Sequence, residues 1–368
     1  MAKSGKAEAM AANDQPVRVA LVGAGEIAEV AHLPAWSAAG DARVDVLVDP
    51  NQERAQRIAA EFGIPNCAVD FEELLQSGDV DAVDICTPPH LHAPMVLNAL
   101  DAGLHVLVEK PMATNLLDGE AIARAARASG KTVMIAENWL FSSARREAEE
   151  IIRKHALGQP FLVKARHESS LYVASTGGAP AWTFSPDTAG GGYLMQAGIH
   201  TVALIEAMVG PFQEVSGYTS AGNTPPDGFL ESTAVLTALF ESGALGSLAF
   251  TARSQHLGPR RLGLELFFDK GSLELDVWTG RVSYTVEGRQ TTVEDANSSM
   301  GFAEEISHFV HCLRTGSEPE TSPARLLSSL KTVFAAYESA RTGNSVRPSN
   351  VASTPAPAGA KEVDASGD

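Results

Sequence analysis

A glycine turn near the N-terminus, set between a strand and a helix, constrains the fold of this chain most. The strand formers run from Val17 to Leu21, and the helical pattern opens with Val22-Gly23-Ala24-Gly25-Glu26-Ile27-Ala28. Gly23 permits the tight turn, Gly25 lets the backbone approach a pyrophosphate, and Ala28 is small enough for close packing of helix on strand. The amide groups of Glu26 and Ile27 at the helix start then face the phosphates. The spacing predicts a dinucleotide-binding unit.

The next apolar run ends in an acidic residue, Asp49. In dinucleotide-binding folds a carboxylate at this place accepts hydrogen bonds from the ribose hydroxyls and repels a 2′-phosphate. Pro50 and Asn51 supply no cation, and Arg54 is the nearest one. We therefore expect NAD as the cofactor, with NADP less favoured. An Asp before a Pro is also typical of a helix cap, and the two roles are compatible.

Strands and helices alternate over residues 16–140, which predicts an α/β Rossmann domain, a doubly wound parallel sheet with helices on both faces. Segments of this kind bind ligands at the carboxyl ends of their strands. The expected strands are 17–22, 43–49, 82–86, 104–108 and 132–136, and the expected helices are 26–39, 51–62, 71–76, 92–102 and 117–129.

After about residue 140 the pattern changes to consecutive strands with glycine-containing turns, which are typical of an antiparallel sheet. We expect an α+β domain over 141–347 with a large, mostly antiparallel open sheet and a last helix that packs back on the Rossmann domain. Its helices are expected near 142–156, 199–209, 302–314 and 323–342, and its strands near 161–172, 213–220, 232–240, 246–253, 262–268, 272–277 and 281–286.

The two ends of the chain lie outside these domains. Residues 1–15 and 348–368 are polar or low in complexity, and we expect a disordered arm and a disordered tail.

The helices are too few to cover the second sheet, and an uncovered apolar face usually meets a partner. We therefore expect a homodimer or homotetramer formed through that sheet, which would also bind the substrate.

Charge and composition exclude several classes of partner. The net charge of −17 argues against nucleic acid and anionic membranes. Three scattered cysteines predict neither a disulfide framework nor a metal site. The most apolar stretch, 193–210, contains Gln196, His200 and Glu206 and indicates a buried helix rather than a membrane span. Because no signal peptide is recognisable before residue 16, we expect a cytoplasmic protein.

A second candidate segment, Asp84-Ile85-Cys86-Thr87-Pro88-Pro89-His90-Leu91-His92, ends a strand and starts a helix. Thr87 and Pro88 would shape the floor of the cofactor cleft, since ligands sit at such strand ends. His90 and His92 could contact cofactor or substrate. They are equally compatible with polar residues in the first turn of a helix.

The motifs together resemble those of the Gfo/Idh/MocA family, named for glucose–fructose oxidoreductase, inositol dehydrogenase and rhizopine-catabolism proteins. The resemblance covers roughly 17–347 and implies an NAD(H)-dependent oxidoreductase acting on a secondary hydroxyl or keto group of a sugar, cyclitol or related polyol. It rests on Gly23-x-Gly25-x-x-Ala28, Thr87-Pro88, Glu109-Lys110-Pro111, Gly190-Gly191-Gly192, Gly198, His200, Phe309 and Tyr337-Glu338-Ser339-Ala340.

The resemblance implies that Lys110 lies beside the nicotinamide and the reacting hydroxyl, with Glu109 orienting it. A cation beside that oxygen stabilises alkoxide character and can relay the proton. Family members often have a cis bond before the proline of this motif, here Pro111, and a cis bond before proline is energetically accessible.

The family usually has an Asp four residues before the histidine that is His200 here, and this chain has Gln196. If the segment is helical, positions four apart share a face. An amide can only position the substrate by hydrogen bonds. His200 or Lys110 must then accept the proton, and histidine suits this near neutral pH.

Two further departures from the family pattern are Ala203, where an acid is common, and Trp182-Thr183, where Trp-Arg is usual. Tyr172, Trp182 and His167 could line a sugar site, and core or surface roles are equally open for them.

Two alternative functions stay open at this point. In the first, tightly bound NAD is used transiently, for epimerisation, elimination or glycoside cleavage, without net NADH. In the second, which Gln196 motivates, the chain is a non-catalytic NAD-binding sensor.

Overall fold

Six short strands form a parallel sheet, and four of them are apolar runs whose near-complete burial explains why they lack the polar alternation of a half-exposed strand. The computed structural model describes residues 15–169, 181–220, 231–254, 261–295 and 298–353. The strand order is β3-β2-β1-β4-β5-β6, and every pair is parallel. The strands are β1 Val17–Val22, β2 Ala42–Val48, β3 Asn66–Ala68, β4 Ala82–Ile85, β5 His105–Glu109 and β6 Val133–Ala136.

Three of the helices between these strands begin at polar caps and end at glycines. Asn51, Asp70 and Asn115 each accept a hydrogen bond from a backbone amide of the following helix, which satisfies donors that the helix leaves unpaired. The helices are α1 Leu33–Ala38, α2 Gln52–Phe62, α3 Phe71–Ser77, α4 His92–Asp101 and α5 Leu116–Ser129, and a π turn, Ala28–His32, precedes α1.

The second sheet has eight strands in the order β14-β13-β12-β11-β7-β10-β9-β8. All of its pairs are antiparallel except β7 with β10. This confirms the predicted fold class. The strands are β7 Pro160–Glu168, β8 Phe212–Ser220, β9 Thr233–Phe240, β10 Leu245–Thr251, β11 Arg261–Phe268, β12 Gly271–Asp276, β13 Arg281–Val286 and β14 Arg289–Glu294.

Helices cover one face of this sheet, and α10 also packs on α5 of the Rossmann half. A Cβ added at Gly119 of α5 would lie only 2.7 Å from Leu330 Cδ2 of α10, so the two helices approach closely. No helix of the described residues is long and apolar enough to cross a membrane. The helices of this half are α6 Ser143–His155, α7 Pro186–Ala189, α8 Ile199–Val209, α9 Phe302–Thr315 and α10 Pro323–Thr342.

The structure differs from the expectations at a few places. Strands β3 and β14 were not predicted, because one has three residues and the other is polar and almost wholly exposed. Pro348–Asn350, expected in the disordered tail, form a 3₁₀ turn in which Pro348 is buried. The expected extension of β7 to residue 172, residues 1–14 of the arm and residues 354–368 of the tail lie outside the described residues.

Candidate active site

The turn after β1 has the geometry that a dinucleotide requires. Gly23 has a φ of +98°, and a Cβ there would lie 2.7 Å from the carbonyl oxygen of Cys86, so only glycine fits. At Gly25 an added Cβ would meet nothing within 4 Å, which leaves open space beside the helix start. Ala28 is fully buried. These residues therefore fit a dinucleotide pyrophosphate at the amide groups of Glu26 and Ile27.

Asp49 follows β2 and is almost fully buried. Its carboxylate accepts hydrogen bonds from the amides of Ala24 (2.7 Å) and Asn51 (2.8 Å). The guanidinium of Arg54 donates to both oxygens, at 2.8 and 2.9 Å. A carboxylate has about four acceptor sites, and all four are used. Asp49 thus holds the glycine turn in place, and Arg54 covers the side of the carboxylate that the turn leaves open.

The segment after β4 borders the same turn. Thr87 and Pro88 are half-buried beside Gly23, as the cofactor-floor hypothesis requires. His92 is different, since it is fully buried and its ring nitrogens lie 2.8 Å from the carbonyl oxygens of Pro111 and Thr87. Both nitrogens are thereby engaged by backbone, so His92 joins the loops after β4 and β5 rather than offering a hydrogen bond to a cofactor.

A cleft of about 340 Å³ lies between the helix start of the Rossmann half and the second sheet. It brings together all three residues predicted for catalysis with some of those predicted for the cofactor and the substrate. Tyr172 lies outside the described residues. The cleft is lined by Glu26, Ile27, Pro89, Glu109, Lys110, Pro111, Asn138, Trp139, His167, Trp182, Tyr193, Gln196, Ala197, His200, Trp278, Met300 and Phe302.

Lys110 is held from both ends. Its backbone amide donates to Glu109 Oε2 (2.9 Å), and its ammonium donates to the carbonyl of Gln196 (3.0 Å). The Lys110–Pro111 peptide bond is cis, as the resemblance implies. Burial alone would raise the pKa of Glu109, but the hydrogen bond from His32 and the charge of Lys110 hold that pKa below its ordinary value. A negatively charged Glu109 therefore lies next to Lys110.

The side-chain amide of Gln196 makes hydrogen bonds to the backbone and is not placed for proton transfer. The amide nitrogen donates to the carbonyls of Thr183 (2.8 Å) and Gly191 (3.2 Å), so both of its hydrogens serve the backbone. Gln196 lies in a π turn, Leu194–Gly198, immediately before α8.

His200 lies in the first turn of α8 and is paired with a carboxylate that the sequence reasoning missed. Its Nδ1 is hydrogen-bonded to Glu137, which directly follows β6 and is fully buried. The indole of Trp139 stacks on the imidazole, with ring centroids 4.8 Å apart and planes 18° apart. Burial raises the pKa of Glu137 to about 8, although the charge of Lys110 opposes the shift.

A buried polar cluster stands behind Lys110. The ring of His32 bridges Asp84 (2.8 Å) and Glu109 (3.0 Å), and Trp36 also donates to Asp84 (2.7 Å). Burial would lower the pKa of His32, but the charge of Asp84 raises it well above the ordinary value. His32, Asp84 and Cys86 bring candidate metal-ligand atoms within 4.8 Å of one another. Because the ring nitrogens are already engaged, the cluster is better described as a hydrogen-bond network.

The rule that located Thr87 and Lys110 would also have located Glu137. All three lie within two residues of the carboxyl end of a parallel strand, and ligands bind at that edge of the sheet. No sequence signal in a single chain would have linked the later lining residues to them. Tyr193, Trp278, Met300 and Phe302 reach the cleft only through the fold of the second half.

Fold and cleft together define a dinucleotide-binding oxidoreductase. The family model described as "Oxidoreductase family, NAD-binding Rossmann fold" matches residues 17–137, and the model of the GFO/IDH/MocA C-terminal domain matches residues 145–274. The two models cover more than half of the chain. The chain therefore belongs to the Gfo/Idh/MocA oxidoreductases, a family of NAD(P)-dependent sugar and polyol dehydrogenases, which confirms the resemblance.

Relatives with assigned activities match nearly the whole chain. The D-apiose dehydrogenase of Paraburkholderia graminis is 28% identical and aligns over 89% of this chain and 88% of its own. A D-xylose 1-dehydrogenase (NADP⁺) of Haloferax volcanii is also 28% identical, over 80% and 89%. The structure of levoglucosan dehydrogenase with NADH and levoglucosan has a TM-score of 0.83 at 23% identity, covering 90% of this chain and 99% of that one. Because the identity to levoglucosan dehydrogenase is below 25%, this similarity shows only that the two chains share a fold.

Proposed function

We propose that this protein transfers a hydride between NAD and a secondary hydroxyl or keto group of a sugar, cyclitol or related polyol. The supporting observation is a convergence in one cleft. Lys110 follows β5, His200 lies in the first turn of α8, and both line the cleft next to the helix start at Glu26 and Ile27. A cation and an imidazole beside a dinucleotide site are the groups that alcohol oxidation needs.

The proposed mechanism assigns a task to each residue. Bound NAD⁺ supplies the hydride acceptor. The ammonium of Lys110 stabilises negative charge on the substrate oxygen as the C–H bond breaks. His200 takes the hydroxyl proton, because Gln196 has no basic oxygen and uses its amide hydrogens on the backbone. Trp182 and His167 line the cleft and are available to contact a sugar.

The choice of cofactor is also a proposal. The buried carboxylate of Asp49 favours NAD, since it would lie near a 2′-phosphate and repel it. Arg54 partly offsets this repulsion, because it supplies a cation at the same place. We propose NAD as the preferred cofactor, with NADP used less well.

We further propose a homodimer or homotetramer formed through the outer face of the second sheet. Tyr218, Val235 and Leu245 expose 80%, 51% and 58% of their surface on that sheet, although they are large and apolar. The predicted cytoplasmic location and the predicted lack of nucleic-acid and membrane partners stay predictions.

The test is a screen of aldopentoses, anhydrosugars and inositols with NAD⁺, followed by formation of NADH. We expect one class to be oxidised, and Lys110→Met to lower kcat by about 100-fold or more. Lys154→Met, which removes an exposed lysine, should leave kcat unchanged. Sugar conversion without net NADH would instead indicate transient oxidation, and binding of NAD without any turnover would indicate a sensor.

A further inference from the structure

Glu137 contacts the imidazole that the proposed mechanism needs as a base. Its Oε1 is hydrogen-bonded to Nδ1 of His200, and the carboxyl is fully buried. Gln196, four residues before the histidine, cannot accept a proton. The acidic partner of His200 is thus supplied by a different element, the end of β6.

The packing fixes the pair in one arrangement. Trp139, two residues after Glu137, stacks on one face of the imidazole. The next aromatic ring in the stack, His167, is 5.2 Å from Trp139 and hydrogen-bonds Thr201, the neighbour of His200. A histidine ring held in this way keeps Nδ1 hydrogen-bonded to the Glu137 carboxyl, and Nε2 points away from it.

The second oxygen of Glu137, Oε2, has no hydrogen-bond partner among the described residues. Buried polar atoms are nearly always paired, and an exception in a native structure calls for an explanation. A carboxyl that exists only to support the fold would be expected to have both oxygens satisfied. A catalytic role is one explanation for such an oxygen.

We propose that Glu137 is the positioning residue of the site, setting the tautomer of His200 and holding the proton that His200 removes from the substrate. The proposal rests on the proposed function. In family members this role would fall to an acid at the position of Gln196. Here it falls to Glu137, which follows strand β6.

The proton balance is complete within the pair. In the form that is ready for oxidation, which predominates above pH 8, Glu137 is a carboxylate that accepts a hydrogen bond from Nδ1–H of His200, so Nε2 carries the lone pair. During oxidation the substrate hydroxyl proton moves to Nε2, and the carbon loses its hydrogen with two electrons to NAD⁺. The Nδ1 proton then passes to Glu137 Oε1. The products are a ketone, NADH, neutral His200 and protonated Glu137.

The charges around Glu137 suit this exchange. Burial raises its pKa to about 8, Lys110 lowers it and Glu109 raises it further. From α9, Glu305 also faces the pair, with its own pKa raised well above the ordinary range by burial. A carboxyl with such a pKa accepts a proton at neutral pH, which a paired surface carboxylate would not do. Oxidation should therefore speed up as pH rises through about 8, and reduction should slow down.

The first experiment needs no substrate. NMR of ¹⁵N-histidine-labelled protein without dinucleotide reports the tautomer and the titration of His200, which is assigned by its loss in His200→Asn. Above pH 8, where Glu137 is ionised, we expect the neutral ring to carry its proton on Nδ1, and we expect Glu137→Gln to lower the ring pKa. Glu206→Gln, a change at another buried glutamate, should leave both unchanged. A ring protonated on Nε2 above pH 8, or a titration that Glu137→Gln does not move, overturns the proposal.

The second experiment uses the polyol that gives turnover in the screen. Glu137→Gln should lower kcat of oxidation by about 100-fold with little change in KM and remove the inflection near pH 8, and Glu137→Asp should restore part of the rate. A Gln variant with wild-type kcat and pH profile overturns the proposal. If Glu137→Gln does not fold, the wild-type tautomer and the Asp variant decide. If no polyol is oxidised, the proposed function fails, while the NMR result on the pair still stands.

Discussion

At the scale of single residues, Asp49 and Arg54 are the groups that we propose to hold the adenosine end of the cofactor. The carboxylate is buried by the glycine turn that it supports, whereas the guanidinium is partly exposed. The exposed guanidinium is the more mobile partner of the two. In this proposal a ribose binds on the Asp49 side and displaces Arg54, and a 2′-phosphate pairs with Arg54.

Replacing Arg54 should change the preference between the two cofactors. In Arg54→Gln the cation that can pair with a 2′-phosphate is lost, so we expect KM for NADP⁺ to rise about tenfold, a loss of roughly 1.4 kcal/mol. KM for NAD⁺ should stay the same or fall. Initial-rate kinetics with both cofactors measure this. Arg57→Gln, which breaks a nearby pair with Glu29, is the charge-matched control. Equal effects of Arg54→Gln on both cofactors would contradict the assignment.

At the scale of elements, the segment from Gly190 to His200 is held by a buried acid that follows a stretch outside the described residues. The carboxylate of Glu231 accepts hydrogen bonds from the amides of Gly192 (3.2 Å) and Leu194 (2.8 Å) and from the hydroxyl of Tyr337 (3.0 Å). These bonds satisfy amides at the start of the π turn that leads into α8. Single π turns are frequent at functional sites.

A methyl group at Gly192 should disturb this segment. Its added Cβ would lie 2.0 Å from the carbonyl oxygen of Glu231, so the backbone must shift. We expect Gly192→Ala to lower the free energy of unfolding by about 1–3 kcal/mol and to reduce kcat, because His200 moves with the segment. Thermal denaturation and steady-state kinetics measure the two effects. Gly40→Ala, where nothing lies within 4 Å, is the control, and equal behaviour of both variants would rule out the predicted crowding.

At the scale of the whole molecule, the second sheet has one face covered by helices and one face open. Tyr218 and Val235 are paired across β8 and β9 on the open face. Apolar side chains in such a row favour contact with a second copy.

Charge on that face should dissociate the oligomer. We expect Tyr218→Glu with Val235→Glu to shift the protein to monomer, because like charges would face each other across the interface. Sedimentation velocity measures the change. Val69→Glu, which alters a valine that is 50% exposed elsewhere, should leave the assembly intact. A wild-type protein that sediments as a monomer would refute the proposed interface.

Stability of the whole chain should fall between pH 6.5 and 8. Glu137 has an ordinary pKa of 4.5, raised to about 8 in the fold by burial. In this window the native state keeps a proton that the unfolded chain has lost, so rising pH favours unfolding. Four histidines whose pKa burial lowers from 6.5 oppose this only below 6.5, where the unfolded chain protonates them. They are His90, His92, His105 and His308.

Glu137→Gln should remove part of this pH dependence. A pKa raised over this window corresponds to roughly 2 kcal/mol of unfolding free energy. Denaturant titrations from pH 6.5 to 8.5 measure the slope, and the exposed Glu53→Gln serves as the control. A slope equal to that of the wild type would show that Glu137 is ionised throughout.

The amino-acid sequence alone determined the sheet of the Rossmann half, the glycine turn and the position of Lys110. Those features depend on local signals, because parallel strands are continuous apolar runs and caps and glycines mark the helix ends. The tertiary structure decided which side chains of the site pair with one another. Nothing near Glu137 in the sequence points to His200, and only the packing of α8 against the end of β6 joins them. Long-range pairing of this kind arises from the fit of whole elements, which no local pattern encodes.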